Sequence, residues 1–184
     1  MFFNLFKRIP GKKNSLSKDQ RGVAAVEFAL VLPIIIILLL GSIDAVFALT
    51  AKRKVSLATH SMADIIAREQ SVTQSDLDAI SELGKVIMTP NDVSLAQIVL
   101  TGAQVDPSGA TATVAWSRAF GPGSPQGLPV NLPINLPIAL TPGVFLVMAS
   151  TEVPFVTLTT AMFNLDEIAY FQSRSGEAIT ITGP

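Results

Sequence analysis

The sequence predicts an α+β protein: an N-terminal transmembrane helix extending into an amphipathic spine helix, packed with a second helix on a small antiparallel sheet. Three observations predict it. An apolar run fills residues 23–49. Apolar residues then recur at helical spacing through two further segments. The remainder is strand-like, broken by turn signals. A helical layer over antiparallel strands is one of the few arrangements that lets such segments share one core.

The first 22 residues carry Lys7, Arg8, Lys12, Lys13, Lys18 and Arg21 against Asp19 alone. From Val23 to Leu49 the chain reads VAAVEFALVLPIIIILLLGSIDAVFAL, and Phe28–Ile43 holds no charge. As a helix this run is about 40 Å long at ~1.5 Å per residue, enough for a hydrocarbon core of ~30 Å. Pro33 removes one backbone bond, and Gly41-Ser42 is a second soft point. The larger cation cluster lies before the run, with Lys52, Arg53 and Lys54 just after it. The positive-inside rule keeps the larger cluster in the cytoplasm and places the C-terminal domain across the membrane. Residues 1–22 are thus a basic cytoplasmic leader, 23–49 a transmembrane helix and 50–184 an outer domain.

Glu27 is the odd residue, an acid inside the apolar run. A carboxylate there costs a few kcal/mol unless it is paired or near headgroups. Two readings are open. Glu27 snorkels or carries a proton near the interface, or it awaits a cation. A cut after Gly22 would make Val23 a free α-ammonium, with Glu27 at i+4 on the same helical face. A neighbouring chain's ammonium would serve equally, and charge pairing in lipid would fix the axial stagger of packed helices.

Val55, Ala58, Met62, Ile65 and Ile66 make one stripe as the helix continues through residues 51–70, read as core contact. A second helix is expected over Ser71–Thr89, with Thr73-Gln74-Ser75-Asp76 as a capping box and Leu77, Ile80, Leu83 and Ile87 along one face. Thr89-Pro90-Asn91-Asp92 ends it. Ser94–Val105 and Ala110–Phe120 flank the turn sequence Asp106-Pro107-Ser108-Gly109 and read as a hairpin, with Trp116 on its second strand. Gly121–Pro142 is a Gly- and Pro-rich loop with three tetrads, Leu128–Asn131, Leu132–Asn135 and Leu136–Ala139. Proline at every fourth residue excludes a regular helix or a central strand and favours an extended segment. The loop either folds its Leu and Ile onto the domain or offers them to a partner. Phe145–Phe155 reads as a third strand, with Pro154 at its end or on an edge. Val156–Phe163 is ambiguous between strand and membrane-proximal apolar surface. Ile168–Ile181 is expected to form a terminal hairpin about Ser175-Gly176, and Asp166-Glu167 to be a surface pair near a turn.

Composition narrows the function. The chain has no cysteine, which excludes disulfides, thiolate metal sites and a cysteine nucleophile. Beyond residue 22 it has seven basic and thirteen acidic residues, a net charge of −6, so no nucleic-acid partner is expected. The one histidine, His60, lies on the spine helix, and no nucleophile elbow, phosphate-cradling loop or zinc-spaced cluster occurs. Asp76, Asp78 and Glu82 lack the loop glycine of a calcium hand and read as a solvated helix face. An enzyme is not expected, and neither is a cofactor or a metal.

The segment Arg21-Gly22-Val23-Ala24-Ala25-Val26-Glu27-Phe28 resembles the prepilin-peptidase site of type IV-like pilins, in which a basic leader ends in glycine and a glutamate lies five residues into the mature chain. Glutamate followed by an aromatic resembles the subclass of the tight-adherence (Flp) pilus. The longer run from Asp19 to Gln70 is similar to TadE-like pseudopilins, most clearly in RGVAAVEFALVLP. The resemblance implies a pilin-like fold and cleavage between Gly22 and Val23. It implies that Glu27, followed by Phe28, is the assembly-linked carboxylate. It also implies a bacterial inner-membrane protein with its domain in the periplasm, a minor pilin or assembly factor in a system akin to type II and type IV machineries. Its partners would be a prepilin peptidase, a pilus assembly platform with a cytoplasmic ATPase, the major pilin, related pseudopilins and membrane lipid. The alternative is a secreted or membrane-anchored binding module. Val46-Phe47-Ala48 satisfies a small-x-small rule, so signal peptidase could cut after Ala48. Against this, the apolar run exceeds a usual signal core and contains Glu27 and Asp44.

Overall fold

The computed structural model describes residues 20–107, 112–121, 131–132, 141–158 and 162–182. Most of the expected leader, the turn residues Ser108 and Gly109, and the proline tetrads apart from Asn131 and Leu132 lie outside them. The described chain falls into two compact units, one up to Ser42 and one from Ile43 onward. The protein is α+β, as the sequence predicts: a long apolar N-terminal helix, a second helix and an antiparallel sheet.

Helix α1 spans Gln20–Arg68 and carries Pro33 within it. Up to Ser42 its large apolar side chains are all exposed, from Val23 through Leu40. An apolar surface that surrounds a helix belongs in lipid or against other helices. The helix is long and apolar enough to cross a membrane. Two hydroxyls, one in its apolar run and one just after it, bond back to the helix. Ser42 Oγ donates to the Leu39 carbonyl at 2.8 Å, and Thr50 Oγ1 to that of Val46 at 2.8 Å.

In the second unit the expected stripe of α1 is buried: Val55, Ala58, Met62 and Ile66 are closed to solvent, and Ile65 packs beside them. Strand β1 (Ser71–Val72) precedes α2 (Gln74–Met88), so the second helix begins later than expected, at its cap. The capping box is formed. Thr73 Oγ1 accepts from the Asp76 N–H at 3.1 Å, and the Asp76 carboxylate accepts from the Thr73 N–H at 2.8 Å. The buried face of α2 keeps the expected Leu77 and Ile80, with Ile87 packed beside the core, but not Leu83. Leu77, Ile80, Ser81, Gly84 and Met88 are buried, whereas Leu83 is 42% exposed. The reason is close packing on α1. A Cβ at Gly84 would lie 2.4 Å from Met62 Sδ, so the smallest residue takes the contact and Leu83 turns outward.

The main sheet runs β4-β3-β2-β5-β6, all antiparallel, from β2 (Gln97–Val105), β3 (Ala112–Phe120), β4 (Asn131–Leu132), β5 (Phe145–Val156) and β6 (Met162–Gln172). The β2–β3 hairpin forms as expected, with a register shift at Gly102/Ala103. Gly102 faces Trp116 across the pair. A Cβ there would sit 2.3 Å from the indole and 2.7 Å from Phe145, so the glycine makes room for the rings. Inside the proline-rich segment, Asn131–Leu132 pairs with Ala112–Thr113 at the sheet edge, a place open to a proline-flanked strand. Pro154 also lies within a strand. It pairs with Asn164 of β6, beyond Glu152, the last residue that β5 pairs with β2, so its missing N–H falls where β5 is an edge.

Val156 and Met162 close the β5–β6 pairing, so the described part of the ambiguous stretch is strand and turn, with residues 159–161 outside the described residues. The expected terminal hairpin does not form. Instead β7 (Thr180–Ile181) pairs in parallel with β1. The turn at Ser173–Gly176 sends the chain to the end of α1, where the Arg174 N–H donates to the Ala67 carbonyl at 2.9 Å. Ile179 is buried there, and its carbonyl accepts from Trp116 Nε1 at 2.8 Å. Asp166-Glu167 is likewise not near a turn but in the middle of β6. One core joins α1, α2 and the facing side of β2, β3, β5 and β6.

Candidate functional site

The expected processing and assembly residues lie together at the start of α1. Gly22 and Val23 are in its first turn, and Glu27 and Phe28 follow one turn later, all exposed. A Cβ at Gly22 would meet nothing within 4 Å, so packing within the chain does not require glycine there. Val23 and Glu27, four residues apart on one helix, share a face. Glu27 is the one acid between Gln20 and Ile43. Its surroundings on α1 are exposed Val26, Phe28, Leu30 and Val31, an apolar setting in which an unpaired carboxylate is unfavourable.

A second set of polar residues begins where the uncharged run ends. Asp44 directly follows that run and is buried against the domain. Its Oδ1 accepts the Leu158 N–H, from the β5–β6 turn, at 2.8 Å. Two turns on, Lys52 pairs with Glu167 at 2.7 Å and donates to the Asp166 carbonyl. Ser56 Oγ donates to Glu167 at 3.2 Å, and His60 Nε2 lies 3.6 Å from the same carboxylate with its ring edge-on to Phe171. Burial pushes the Glu167 carboxyl up. The Lys52 hydrogen bond and charge, the Ser56 hydroxyl and the His60 ring outweigh it and leave it below its ordinary value. Lys54 Nζ donates to the Thr89 carbonyl at 2.5 Å, while Arg53 is exposed. Two of the three cations that follow the apolar run are therefore engaged by the domain.

Several other charged residues are also engaged. Asp76 belongs to the cap, Asp78 pairs with Arg118 at 2.7 Å and Glu82 with Lys85 at 2.6 Å, so the acidic trio on α2 is divided among three partners. Asp64 holds Arg68 and, at 2.7 Å, Arg174. The contacts of Asp44 and Glu167 escape sequence reasoning because their partners are more than a hundred residues away. The one local signal is an acid at the end of an apolar helix.

No curated protein and no solved structure matches the chain. A family model described as TadE-like protein matches residues 22–64. The match covers Gly22, Glu27, the apolar run and the stripe of α1 as far as Asp64, within the stretch on which the resemblance rests. Over residues 22–64, the chain is similar to TadE-like proteins.

Proposed function

We propose that the chain is a pseudopilin or minor pilin that takes part in assembling a tight-adherence pilus. The TadE-like match suggests a protein associated with the Tad pilus. The finer reading is as follows. A prepilin peptidase removes the basic leader after Gly22. Residues 23–49 remain in the inner membrane, and the domain from residue 50 onward stands in the periplasm. Cleavage exposes the Val23 α-ammonium one helical turn from Glu27. The two charges pair within the chain or between neighbours, and the pairing fixes the stagger of laterally packed helices. The partners are the peptidase, the assembly platform, the major pilin, related pseudopilins and lipid, and the role is structural rather than enzymatic.

The observation that carries this reading is one matched segment in which an unconstrained glycine, a carboxylate five residues on and a fully exposed apolar helix occur in order. The secreted alternative is disfavoured by Asp44. A cut after Ala48 would discard the carboxylate that holds the Leu158 N–H, and would open α1 two residues before the buried Ala51.

The test is the mature N-terminus, read by mass spectrometry of the host membrane fraction. The expected start is Val23, lost when the prepilin peptidase is deleted. A start at Leu49 with soluble protein would replace the proposal with the secreted module, and an intact Met1 would reduce it to a plain anchor.

A further inference from the structure

The β5–β6 hairpin carries no charged residue from Val153 to Leu165. Its described tip is apolar and open: Val156 is 56%, Leu158 62% and Met162 70% exposed, with Phe163 beside them. It is also well built. Phe155 and Phe163 face each other across the pair with ring centroids 5.3 Å apart, and the strands stay paired to Val156 and Met162. Solvent alone gives no reason to hold such residues outward.

The position of the tip identifies what covers it. Asp44, the residue that accepts the Leu158 N–H, immediately follows the uncharged run Phe28–Ile43. The tip is thus fastened to α1 near the outer end of the apolar run, five residues before Leu49. Between tip and helix lies a groove of about 370 Å³, lined by Phe47, Thr50, Pro90, Phe155 and Val156. Lys54, whose ammonium also meets the Thr89 carbonyl, borders the groove, and Arg53 is exposed at the preceding position of the helix. An apolar edge beside cations, on a domain that is otherwise acidic, is the pattern of a surface that meets anionic headgroups and the upper acyl chains.

From these observations we infer that the β5–β6 pair is a second membrane-contact element, inserting Val156, Leu158, Met162 and Phe163 into the lipid interface beside α1. The inference rests on the reading of residues 23–49 as the span.

The cysteine-free chain permits a direct test. Full-length Ile36→Cys, Met162→Cys and Glu69→Cys proteins are labelled with an environment-sensitive fluorophore. They are reconstituted in phosphatidylethanolamine–phosphatidylglycerol vesicles containing nitroxide lipids. Glu69 is a distal reference just past the end of α1, beyond roughly 36 Å of helix from Asp44 at ~1.5 Å per residue. The Met162 label is expected to be quenched several-fold more than the Glu69 label by a nitroxide near the headgroup, and the Ile36 label by a nitroxide deep in the chain. Quenching at Ile36 but none above the Glu69 level at Met162 overturns the inference and leaves the span intact. No quenching at Ile36 removes the span and the inference with it. A Met162 label shielded from lipid and from aqueous iodide alike, with cross-links between copies, overturns the inference in favour of a protein contact.

Discussion

A carboxylate in an apolar helix stays there at a cost of a few kcal/mol unless a cation meets it. Glu27 is exposed and one turn from Val23, and on the proposed reading it gains its partner when the leader is removed or a second chain arrives. The expected outcome of Glu27→Ala is normal membrane insertion with loss of pilus assembly. It is read as unchanged protein in the membrane fraction and no sheared fibre. Glu27→Gln keeps the shape without the charge and is expected to fail equally. Normal piliation in either variant would remove the register role. Glu27 was legible in the sequence because its oddity is local, one acid in an apolar run. Glu167 was not, because a surface-like Asp-Glu pair acquires meaning only when β6 is laid beside α1 and Lys52 comes within 2.7 Å.

At the scale of elements, the helices declared themselves and the short strands did not. The stripe of α1 and the Thr73–Asp76 cap are patterns within a few residues, and both form as read. One position of the α2 face was misjudged because hydrophobicity favours Leu83, whereas close approach of two helices favours Gly84. The pairing of β7 with β1 joins two-residue strands more than a hundred positions apart, too short to carry a periodicity. The long strands are held by a fit that the sequence only hints at: Gly102 opposite Trp116. Gly102→Ala would drive a Cβ into the indole and into Phe145, both packed in the core, and the strand backbone cannot withdraw without losing its ladder. The expected loss is about 1–3 kcal/mol. It would be measured as a lower denaturant midpoint of the full chain in detergent, followed by emission of its one tryptophan. An unchanged midpoint would show that the rings move aside freely.

Taken whole, the domain is tied together by carboxylates whose protonation is disfavoured in the fold. Asp64 is held below the usual range by the hydrogen bond from Arg68, with Arg174 adding to it against the opposing effect of burial. Asp76 is lowered by Thr73, and Asp92 by Ser94. Glu167 is lowered by Lys52 and its neighbours, in spite of its burial. These four groups fasten the C-terminal turn to α1, start α2, shape the loop after it and fix β6 to α1. Each has a folded pKa below its unfolded value. In the interval between the two values the unfolded chain binds more protons than the folded one, so stability rises with pH there. The contribution is complete above the ordinary carboxylate range, about 4, and is lost as pH falls through the folded values. The full chain in detergent is therefore expected to keep a constant unfolding temperature from about pH 7 to 5 and to lose stability steadily below about pH 4. Emission of Trp116, buried and bonded to Ile179, should report the transition as a red shift. The pairs are exposed enough for salt to screen them, so high salt should flatten the acid limb. An acid limb insensitive to salt would mean that protonation inside the core, not these ties, opens the domain.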